Sequence, residues 1–278
     1  MQGATIVTTR NAAFQHVETL KRNRTKRTHH REFVVEGVRS ITRALDHGWE
    51  FHQVWHDVER PLTGWAETIL ARTEHAERIG TSPELMEELS DRDDPSELVA
   101  VVGTRDGSAQ LDSVAVDERL LLLALDRPTN PGNVGSMIRS ADALGASAVV
   151  ITGHAVDPHD PHALRGSMGS FFALPVVRLP APTALFDVYE RYRAPLPGLL
   201  VVGAGAPEGR PLDMCDLTGP LVIVMGNEAE GLSEAHRRHC DVVAHIPMRG
   251  RAADSLNVAA AAAIVLYEVD RQRRYATF

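Results

Sequence analysis

Polar residues and glycines follow three apolar runs in the second half of the chain. The first stretch is NPGNVGSMIRSADALG (residues 130–145), behind the run 120–125. The second is GNEAEGLS (226–233), behind the run 221–225, and the third is IPMRGRAADSLN (246–257). Open α/β sheets bind their ligands at the carboxyl ends of strands. The three stretches are therefore the first places to expect chemistry.

The first stretch has the periodicity of an amphipathic helix. Apolar residues recur at i, i+3, i+4, i+7 and i+10 on one helix face: Val134, Met137, Ile138, Ala141 and Leu144. We expect Asn133 to cap the helix and Gly145 to follow its end in the left-handed conformation. The periodicity does not explain Arg139. This side chain could pair with Asp142 at i+3, or act on a ligand that the glycines of the first turn admit.

The second and third stretches add a carboxylate, a hydroxyl and an amide. Glu228 could orient or polarise a ligand, although a helix capped by Ser233 accounts for the end of its stretch. Ser255 suits a helix cap. Asn257 lies in the first turn of an alanine-rich helix, where main-chain amides can hold an anion or a carboxylate. Residues 258–267 are apolar on nearly every face, which predicts burial in a core or a subunit interface.

Composition favours an ordinary globular protein of a reducing cytoplasm. The 278 residues are 44% apolar and 24% charged, with two cysteines and no apolar run of membrane-spanning length. The N-terminal residues do not have the pattern of a signal peptide, so we expect no secretion signal. The histidines and acids of residues 154–162 and 236–240 lack the spacing of a zinc site, so we expect no metal.

The net charge of −8 conceals a basic segment. Residues 1–43 hold nine Lys and Arg against three Asp and Glu, which is +6, so the remainder carries −14. A helix over 11–24 should lead into an exposed turn, KRNRTKRTHHR (21–31), which could bind phosphates or be a solvated face. Six cations are the RNA-binding candidates: Arg22, Arg24, Lys26, Arg27, Arg31 and Arg165.

Strand and helix signals alternate through two modules. We predict an α/β module over 1–103, a linker over 104–118 rich in turn-forming residues, and a second module over 119–278. In the second, a parallel sheet covered on both faces is expected. Its predicted strands are 120–125, 148–151, 175–177, 199–202, 221–225 and 242–246. Without further information we would draw it unknotted, since knots are rare.

One glycine pair could suggest a different class of enzyme. Gly203 and Gly205 follow a strand, as in a dinucleotide-binding turn of a nicotinamide-dependent oxidoreductase. Pro207 stands where the helix of that turn should run, and no suitably placed acid ends the next strand. This alternative therefore lacks most of its fingerprint.

The three stretches, taken in order, resemble the motifs of the SpoU/TrmH branch of the SPOUT RNA methyltransferases. The matching segments are NPGNVGSMIRSADALGA (130–146), VIVMGNEAEGLS (222–233) and IPMRGRAADSLNVAAAAAIVLYE (246–268). FVVEG (33–37) and its basic surroundings resemble the family's L30e-like RNA-binding domain. The wording of the first motif and of the C-terminal helix is most similar to the avilamycin-resistance type, which methylates 23S ribosomal RNA.

This resemblance implies transfer of a methyl group from S-adenosylmethionine to a ribose 2′-hydroxyl of RNA. It also implies a C-terminal trefoil knot and a homodimer. The family's catalytic positions correspond to Asn133, Arg139, Glu228, Ser255 and Asn257. Its cofactor pocket corresponds to Ala204, Gly226, Ile246, Met248 and Leu256. Ribosomal RNA is the expected substrate, and the alternatives are transfer RNA or a non-catalytic RNA-binding or ribosome-assembly factor.

Arg139 is expected to assist the hydroxyl without acting as its base. A guanidinium titrates above about pH 12, so it anchors a phosphate with its fork of donors and stabilises negative charge on the attacking oxygen. Glu228 and Asn257 would position Arg139 and the ribose, and Asn133 would hold the loop of the first motif.

Overall fold

A computed structural model describes residues 5–90, 95–205, 208–250 and 255–276. Two compact units make up the chain. One comprises Met1–Arg105 and His159–Ala173, and the other comprises Asp106–Pro158 and Leu174–Phe278. Residues 159–173, which the sequence assigns to the second module, thus pack with the first unit. Arg251 and Asp254 of the third stretch lie outside the described residues.

The first unit is built on a mixed five-stranded sheet in the order β1-β4-β3-β5-β2. Strand β5 pairs antiparallel with β2 and β3, and the other neighbours are parallel. The elements up to residue 103 are β1 (Thr5–Val7), α1 (Ala12–Arg22), α2 (Arg24–His30), β2 (Glu32–Glu36), α3 (Val38–Asp46), β3 (Phe51–Asp57), α4 (Gly64–Arg72), β4 (Glu77–Thr81), α5 (Pro83–Leu89) and β5 (Leu98–Gly103).

The basic stretch of this unit is helical, so the prediction of an exposed turn over 21–31 is wrong. Asn23 ends α1, and its side-chain oxygen accepts a hydrogen bond from the Lys26 amide at 3.1 Å, which caps α2. An asparagine that ends one helix can start another, because its short amide serves as a good N-cap. The kink leaves Arg27 buried, with 4% of its surface exposed.

The second unit contains a seven-stranded parallel sheet in the order β10-β12-β9-β11-β6-β7-β8, which confirms the predicted parallel α/β fold. The remaining elements are α6 (Gly107–Asp112), β6 (Leu121–Asp126), α7 (Pro131–Ala143), β7 (Ala148–Thr152), α8 (Pro161–Ser167), α9 (Ser170–Ala173), β8 (Val176–Leu179), α10 (Pro182–Arg193), β9 (Leu200–Ala204), β10 (Arg210–Pro211), a 3₁₀ turn (Leu212–Met214), β11 (Leu221–Met225), α11 (Glu234–His239), β12 (Val242–His245) and α12 (Val258–Tyr275). Helices α8 and α9 belong to the first unit.

The segment 104–118, predicted as a linker, contains the helix α6. Asp106 caps it by accepting the Ala109 amide at 2.9 Å. Leu111 and Val114 are buried in the core of the second unit, where the Leu111 carbonyl accepts the Tyr192 hydroxyl. The turn-forming residues are therefore caps of a packed helix, and the segment belongs to the second unit.

Helix α7 begins and ends close to the predicted positions. Its N-cap is Asn130, whose side chain accepts the Asn133 amide at 3.1 Å, so the expectation that Asn133 caps the helix is wrong. Asn130 precedes Pro131, a residue suited to the first helical position because it lacks an amide hydrogen. Gly145 follows the end with φ +75°, the predicted left-handed conformation.

None of the helices in the described part of the chain combines the length and apolar character that a membrane span requires.

Candidate functional site

Three neighbouring strands of the second sheet end where the cofactor positions were predicted. β9 lies between β12 and β11, and its last residue, Ala204, pairs with Met225 and with Ala244. Gly226 follows β11 directly, and Ile246 follows β12. These backbone segments therefore share one edge of the sheet, where ligands of open α/β sheets bind.

Gly226 is required by the close approach of the loop that follows it. A Cβ atom at this position would lie 2.4 Å from the Gly231 carbonyl carbon and 2.5 Å from the Leu232 nitrogen, both backbone atoms. The loop folds back because Asn227 and Gly231 exchange main-chain hydrogen bonds. The Asn227 side chain also donates to the Arg127 carbonyl at 2.7 Å. The second motif is thus a tight loop tied to the end of β6.

Glu228 at the tip of this loop binds the start of the first motif. Its carboxylate accepts from the Thr129 amide (3.1 Å), the Thr129 hydroxyl (3.0 Å), the Asn130 amide (3.3 Å) and the Asn133 side-chain amide (3.3 Å). Partial burial raises the pKa of Glu228, but the hydrogen bonds to its carboxylate outweigh this and hold the pKa below the ordinary value. The group is therefore an anion at neutral pH.

Asn133 joins all three motifs. Its side-chain nitrogen donates to Glu228, and its side-chain oxygen accepts from Asn257 Nδ2 at 3.1 Å. Asn257 is itself the N-cap of α12, where its oxygen accepts the amides of Ala259 (2.9 Å) and Ala260 (3.3 Å). The Glu228–Asn133–Asn257 network thus fixes the relative positions of the α7 start, the second-motif loop and the α12 start.

Arg139 and Ser255 are not part of this network. Arg139 is exposed on α7, and within the described residues it makes no hydrogen bond or ion pair, so the alternative of a pair with Asp142 is not realised. Ser255 is also exposed and, in the same part of the chain, makes no hydrogen bond. Its predicted role as a helix cap is wrong, because Asn257 caps α12.

A buried acid supports the site and was missed by the sequence analysis. Asp126, at the end of β6, has no exposed surface and accepts the Ser233 amide at 2.7 Å and Arg127 Nε at 3.1 Å. Arg127 has a left-handed φ of +51°, pairs with Glu230 and reaches the Gly231 carbonyl. An acid and an arginine directly after an apolar run are the signal in the sequence that could have identified this pair. Together they hold both ends of the second-motif loop.

The predicted RNA-binding cations of the first unit occupy different environments. Arg27 donates to the carbonyls of Leu20 (2.8 Å) and Lys21 (3.0 Å), so it closes the end of α1 and does not face solvent. Arg165 pairs with Glu36 at 3.0 Å.

Four other members of the predicted set lie at or near the surface. Arg22 is exposed and pairs with Glu18. Lys26 and Arg31 are exposed, and Arg24 is partly buried. The predicted set of RNA-binding cations does not include two exposed arginines of α3, Arg39 and Arg43, although both contribute to the +6 charge of residues 1–43.

The glycine pair that suggested a dinucleotide site serves packing. A Cβ on Gly203 would lie 2.7 Å from Cys240 Sγ and 2.7 Å from Leu232 Cδ1, so glycine is needed where α11 and its flanking residues approach β9. Gly205 has φ +122° and donates its amide to the Ala244 carbonyl at 3.0 Å. Over the described residues, no cluster of three or more His, Cys, Asp or Glu side chains could hold a metal ion.

Family models match both units. Residues 120–267 match the SpoU rRNA Methylase family, and residues 11–100 match the SpoU L30e-like domain. A curated relative from Streptomyces viridochromogenes, named 23S rRNA (uridine(2479)-2'-O)-methyltransferase, is 45% identical over 270 residues, which is 96% of this chain and 92% of the relative.

Solved structures extend the similarity to the whole fold. The SpoU methyltransferase AviRb from Streptomyces viridochromogenes, solved with the cofactor AdoMet, is 44% identical with a TM-score of 0.89 over 95% of this chain and 99% of that one. An AdoMet-bound rRNA methyltransferase from Sinorhizobium meliloti is 30% identical, with a TM-score of 0.83 over 96% and 98% of the two chains.

Proposed function

Because the chain belongs to the SpoU rRNA methylase family, we propose that it transfers a methyl group from S-adenosylmethionine to a ribose 2′-hydroxyl of 23S ribosomal RNA. The observation that carries this proposal is the Glu228–Asn133–Asn257 network, which brings side chains from three separate motifs into direct contact. The name of the Streptomyces relative supports 23S rRNA as the substrate and a uridine ribose as the acceptor. We place the reaction in the cytoplasm, where ribosomal RNA is found, and include antibiotic resistance as a role to test.

The residues at the sheet edge suit S-adenosylmethionine. Main chain at Ala204, Gly226 and Ile246 provides polar groups just beyond the paired strands, and the half-exposed side chains of Met248 and Leu256 provide apolar surface for a purine ring. We assign these five positions to cofactor binding. When bound, the cofactor supplies a methyl group on a positively charged sulfur, which favours attack by an oxygen anion.

The polar network would shape the acceptor side of the site. Glu228 holds the Thr129–Asn130 main chain, and through Asn133 it holds the amide of Asn257. Fixing these groups before the substrate arrives lowers the entropic cost of aligning a hydroxyl with a methyl group. Asn133 is thus assigned a positioning role, and Ser255 a contact with substrate or cofactor.

Arg139 is assigned to the phosphate beside the reacting ribose. Its guanidinium is exposed and free of ion pairs within the described chain, so it can offer a complete fork of donors to an RNA phosphate. Placed there, it would stabilise the negative charge that develops on the 2′-oxygen while the hydroxyl proton passes to water and the oxygen bonds the methyl group.

We also propose that the protein works as a homodimer, with the trefoil knot of its family. Helix α12 buries Ala262, Val265, Leu266 and Val269 but leaves Ile264 and Tyr267 exposed, the latter at 52%. Large exposed apolar side chains on one helix are typical of an interface. Sedimentation equilibrium tests this directly, and a monomer across the concentrations used for activity would contradict it.

The proposed activity is tested by cofactor binding and methyl transfer in the same preparation. Calorimetric titration with S-adenosylmethionine should give one saturable site per chain, and tritium from the labelled methyl group should appear in a 23S rRNA transcript. Binding of the transcript without cofactor binding or label transfer would instead identify a non-catalytic RNA-binding factor.

A further inference from the structure

A buried histidine behind the second-motif loop (226–233) has no role in the proposed methyl transfer. His236, on α11, is 1% exposed, and Asp126, at the end of β6, has no exposed surface. His236 Nε2 lies 3.7 Å from Asp126 Oδ1 and 3.2 Å from the Thr152 hydroxyl oxygen. An enclosed imidazole beside a carboxylate is costly to desolvate, and such pairs occur often at functional sites. Asp126 also binds the loop, so one residue separates His236 from the candidate site.

The two oxygens of Asp126 hold two different anchors of the loop. Oδ2 accepts the Ser233 amide at 2.7 Å, and Oδ1 accepts Arg127 Nε at 3.1 Å. Arg127 in turn donates to the Gly231 carbonyl at 3.4 Å. Because Glu228 belongs to the same loop, its position depends on what the Asp126 carboxylate binds.

The hydrogen bonds assign the proton of the neutral His236 ring to Nε2. The Thr152 hydroxyl donates to the Leu125 carbonyl at 3.4 Å, so it accepts from His236, and Nε2 is the donor. Nδ1 then carries a lone pair, and it is buried without a hydrogen-bond partner among the described residues. Nδ1 is therefore the ring atom that takes up a proton.

The charged groups around the ring come from the end of β6 and from α11 itself. Burial lowers the pKa of His236, the Asp126 carboxylate opposes this, and His239 and Arg127 add to the lowering. Cys240 donates its amide to the His236 carbonyl, and burial raises the pKa of its thiol to about 11, so it brings no charge. The ring is therefore neutral at neutral pH, with a single carboxylate beside it.

The elements on the other sides of the ring are uncharged where they meet it. From α10, Phe186 packs edge-on against His236, with 5.3 Å between the ring centroids. Tyr189, next to Phe186 on the same helix, is buried, which raises the pKa of its hydroxyl and keeps it neutral. From β7, the ring meets the Thr152 hydroxyl. A proton on His236 would thus be attracted to Asp126 alone.

We propose that His236 is a positioning residue for the second-motif loop and acts through Asp126. The neutral ring leaves both carboxylate oxygens to Ser233 and Arg127. When Nδ1 takes up a proton from solvent, the imidazolium competes with Arg127 for Oδ1, the oxygen that both side chains face. The loop is then released, and Glu228 no longer fixes the acceptor side of the site. The effect on methyl transfer rests on the proposed function.

Amide hydrogen exchange in the full chain tests this role without requiring activity. The exchange rate of the Ser233 amide is measured by NMR at about pH 7.5 and about pH 5, on either side of the ordinary histidine pKa. Each rate is divided by the rate in His236→Gln at the same pH, which cancels the intrinsic pH dependence of exchange. Glutamine offers a neutral donor and takes up no proton. The ratio should be near one at neutral pH and rise about fivefold or more in acid.

An internal control separates release of the loop from loss of stability. The Ile223 amide, in the middle of β11, exchanges only when the sheet opens, so its ratio should rise much less than that of Ser233. A Ser233 ratio near one at both pH values would overturn the proposal. An equal rise at Ile223 would also overturn it, because protonation would then weaken the whole unit.

Kinetic profiles connect the loop to the reaction. The acid limb of kcat should lie at lower pH in His236→Gln than in the wild type, with kcat at neutral pH within about twofold. Asp126→Asn weakens the acceptor for Arg127, so it should lower kcat about tenfold already at neutral pH. The matched control is His239→Gln, which replaces the exposed histidine of α11 and should keep the wild-type acid limb. An acid limb that His236→Gln leaves in place would contradict the role of His236.

The outcomes separate this inference from the proposed function. If the protein methylates rRNA and neither the exchange ratio nor the acid limb depends on His236, the positioning role fails alone. If the protein transfers no methyl group, the proposed function fails, while the exchange ratio still decides whether protonation of His236 releases the loop.

Discussion

The polar network of the second unit holds its side chains in place by hydrogen bonds, whereas the basic helices α1 and α2 of the first unit leave some of their cations exposed to solvent. In the network, Asn133 is hydrogen-bonded to both Glu228 and Asn257, and the Glu228 carboxylate accepts four hydrogen bonds in all. In helices α1 and α2, Lys21 and Arg27 are buried and donate to main-chain carbonyls, whereas their neighbours Arg22 and Lys26 face solvent. A site that must align atoms is fixed in advance, whereas a surface that attracts a polyanion can remain mobile.

Arg139 is the exception in the second unit, because it is exposed and unpaired within the described residues. If it acts on the transition state, Arg139→Ala should lower kcat about a hundredfold or more while leaving cofactor affinity nearly unchanged. Steady-state kinetics with rRNA and calorimetry with S-adenosylmethionine measure the two quantities. Arg274→Ala on α12 serves as the control for loss of an exposed arginine, and near-normal turnover in Arg139→Ala would remove the residue from the mechanism.

Glu228 tests whether the network acts as a unit. Glu228→Gln keeps the shape but replaces one accepting oxygen with a donor that opposes the Thr129–Asn130 amides. We expect kcat to fall about tenfold, since preorganisation is lost and the reacting groups remain. Asn133→Ala combined with this change should add little, because both act through one network. Fully additive losses in rate would show that the two residues act separately.

Two adjacent cations, Lys26 and Arg27, should differ in their effect on the stability of the fold. Arg27→Ala leaves the Leu20 and Lys21 carbonyls without their buried donor, so the free energy of unfolding should fall by about 1–3 kcal/mol. Lys26→Ala should change stability by less than about 0.5 kcal/mol. Urea unfolding of both variants makes the comparison. Equal stability of the two would mean that the burial of Arg27 is energetically unimportant.

The exposed cations should appear in the salt dependence of RNA binding. Each cation that meets a phosphate contributes about 0.7–0.9 to the slope of log K against log salt. Lys26→Ala and Arg31→Ala should each reduce the slope by about that amount, and Arg27→Ala should leave it unchanged in the folded protein. A slope that none of the substitutions alters would make the segment a solvated surface.

The smallest expected effect is a pH dependence in the second unit. Burial lowers the pKa of His236, and the nearby Asp126 carboxylate, 3.7 Å from Nε2, offsets only part of this. The unfolded chain therefore takes up this proton at higher pH than the folded chain. The stability that His236 contributes is complete above about pH 6.5 and is lost as the pH falls through the lowered value.

Urea unfolding at neutral and mildly acidic pH measures the effect. His236→Gln should reduce the loss of stability on acidification, and His75→Gln, at an exposed position, should not. An unchanged acid slope in His236→Gln would show that the buried ring does not titrate in this range.

The sequence predicted the sheet of the second unit well because its strands are continuous apolar runs, and both faces of a parallel sheet are buried. Two-residue β10 carries no such signal. The sequence predicts a linker where α6 lies, because Asp106 and its neighbours are turn-forming residue types that also cap helices. Local sequence alone does not separate a turn from a capped short helix.

Within the candidate site, the resemblance to the family motifs singles out five polar positions. Asn133, Glu228 and Asn257 are joined by hydrogen bonds, whereas Arg139 and Ser255 lie outside this network. Their local roles were harder to predict, since Asn130 and Asn257 cap the helices in place of Asn133 and Ser255. The burial of Arg27 depends on tertiary packing, which the spacing of charges does not encode.

The central claim is that the acceptor is a ribose oxygen, and the identity of the methylated nucleoside tests it most directly. 23S rRNA incubated with the protein and labelled S-adenosylmethionine is digested to nucleosides and analysed by mass spectrometry. The account predicts label in a single 2′-O-methylnucleoside, formed about a hundredfold more slowly with Arg139→Ala. Label on a base, or no label in RNA that the protein binds, would contradict it.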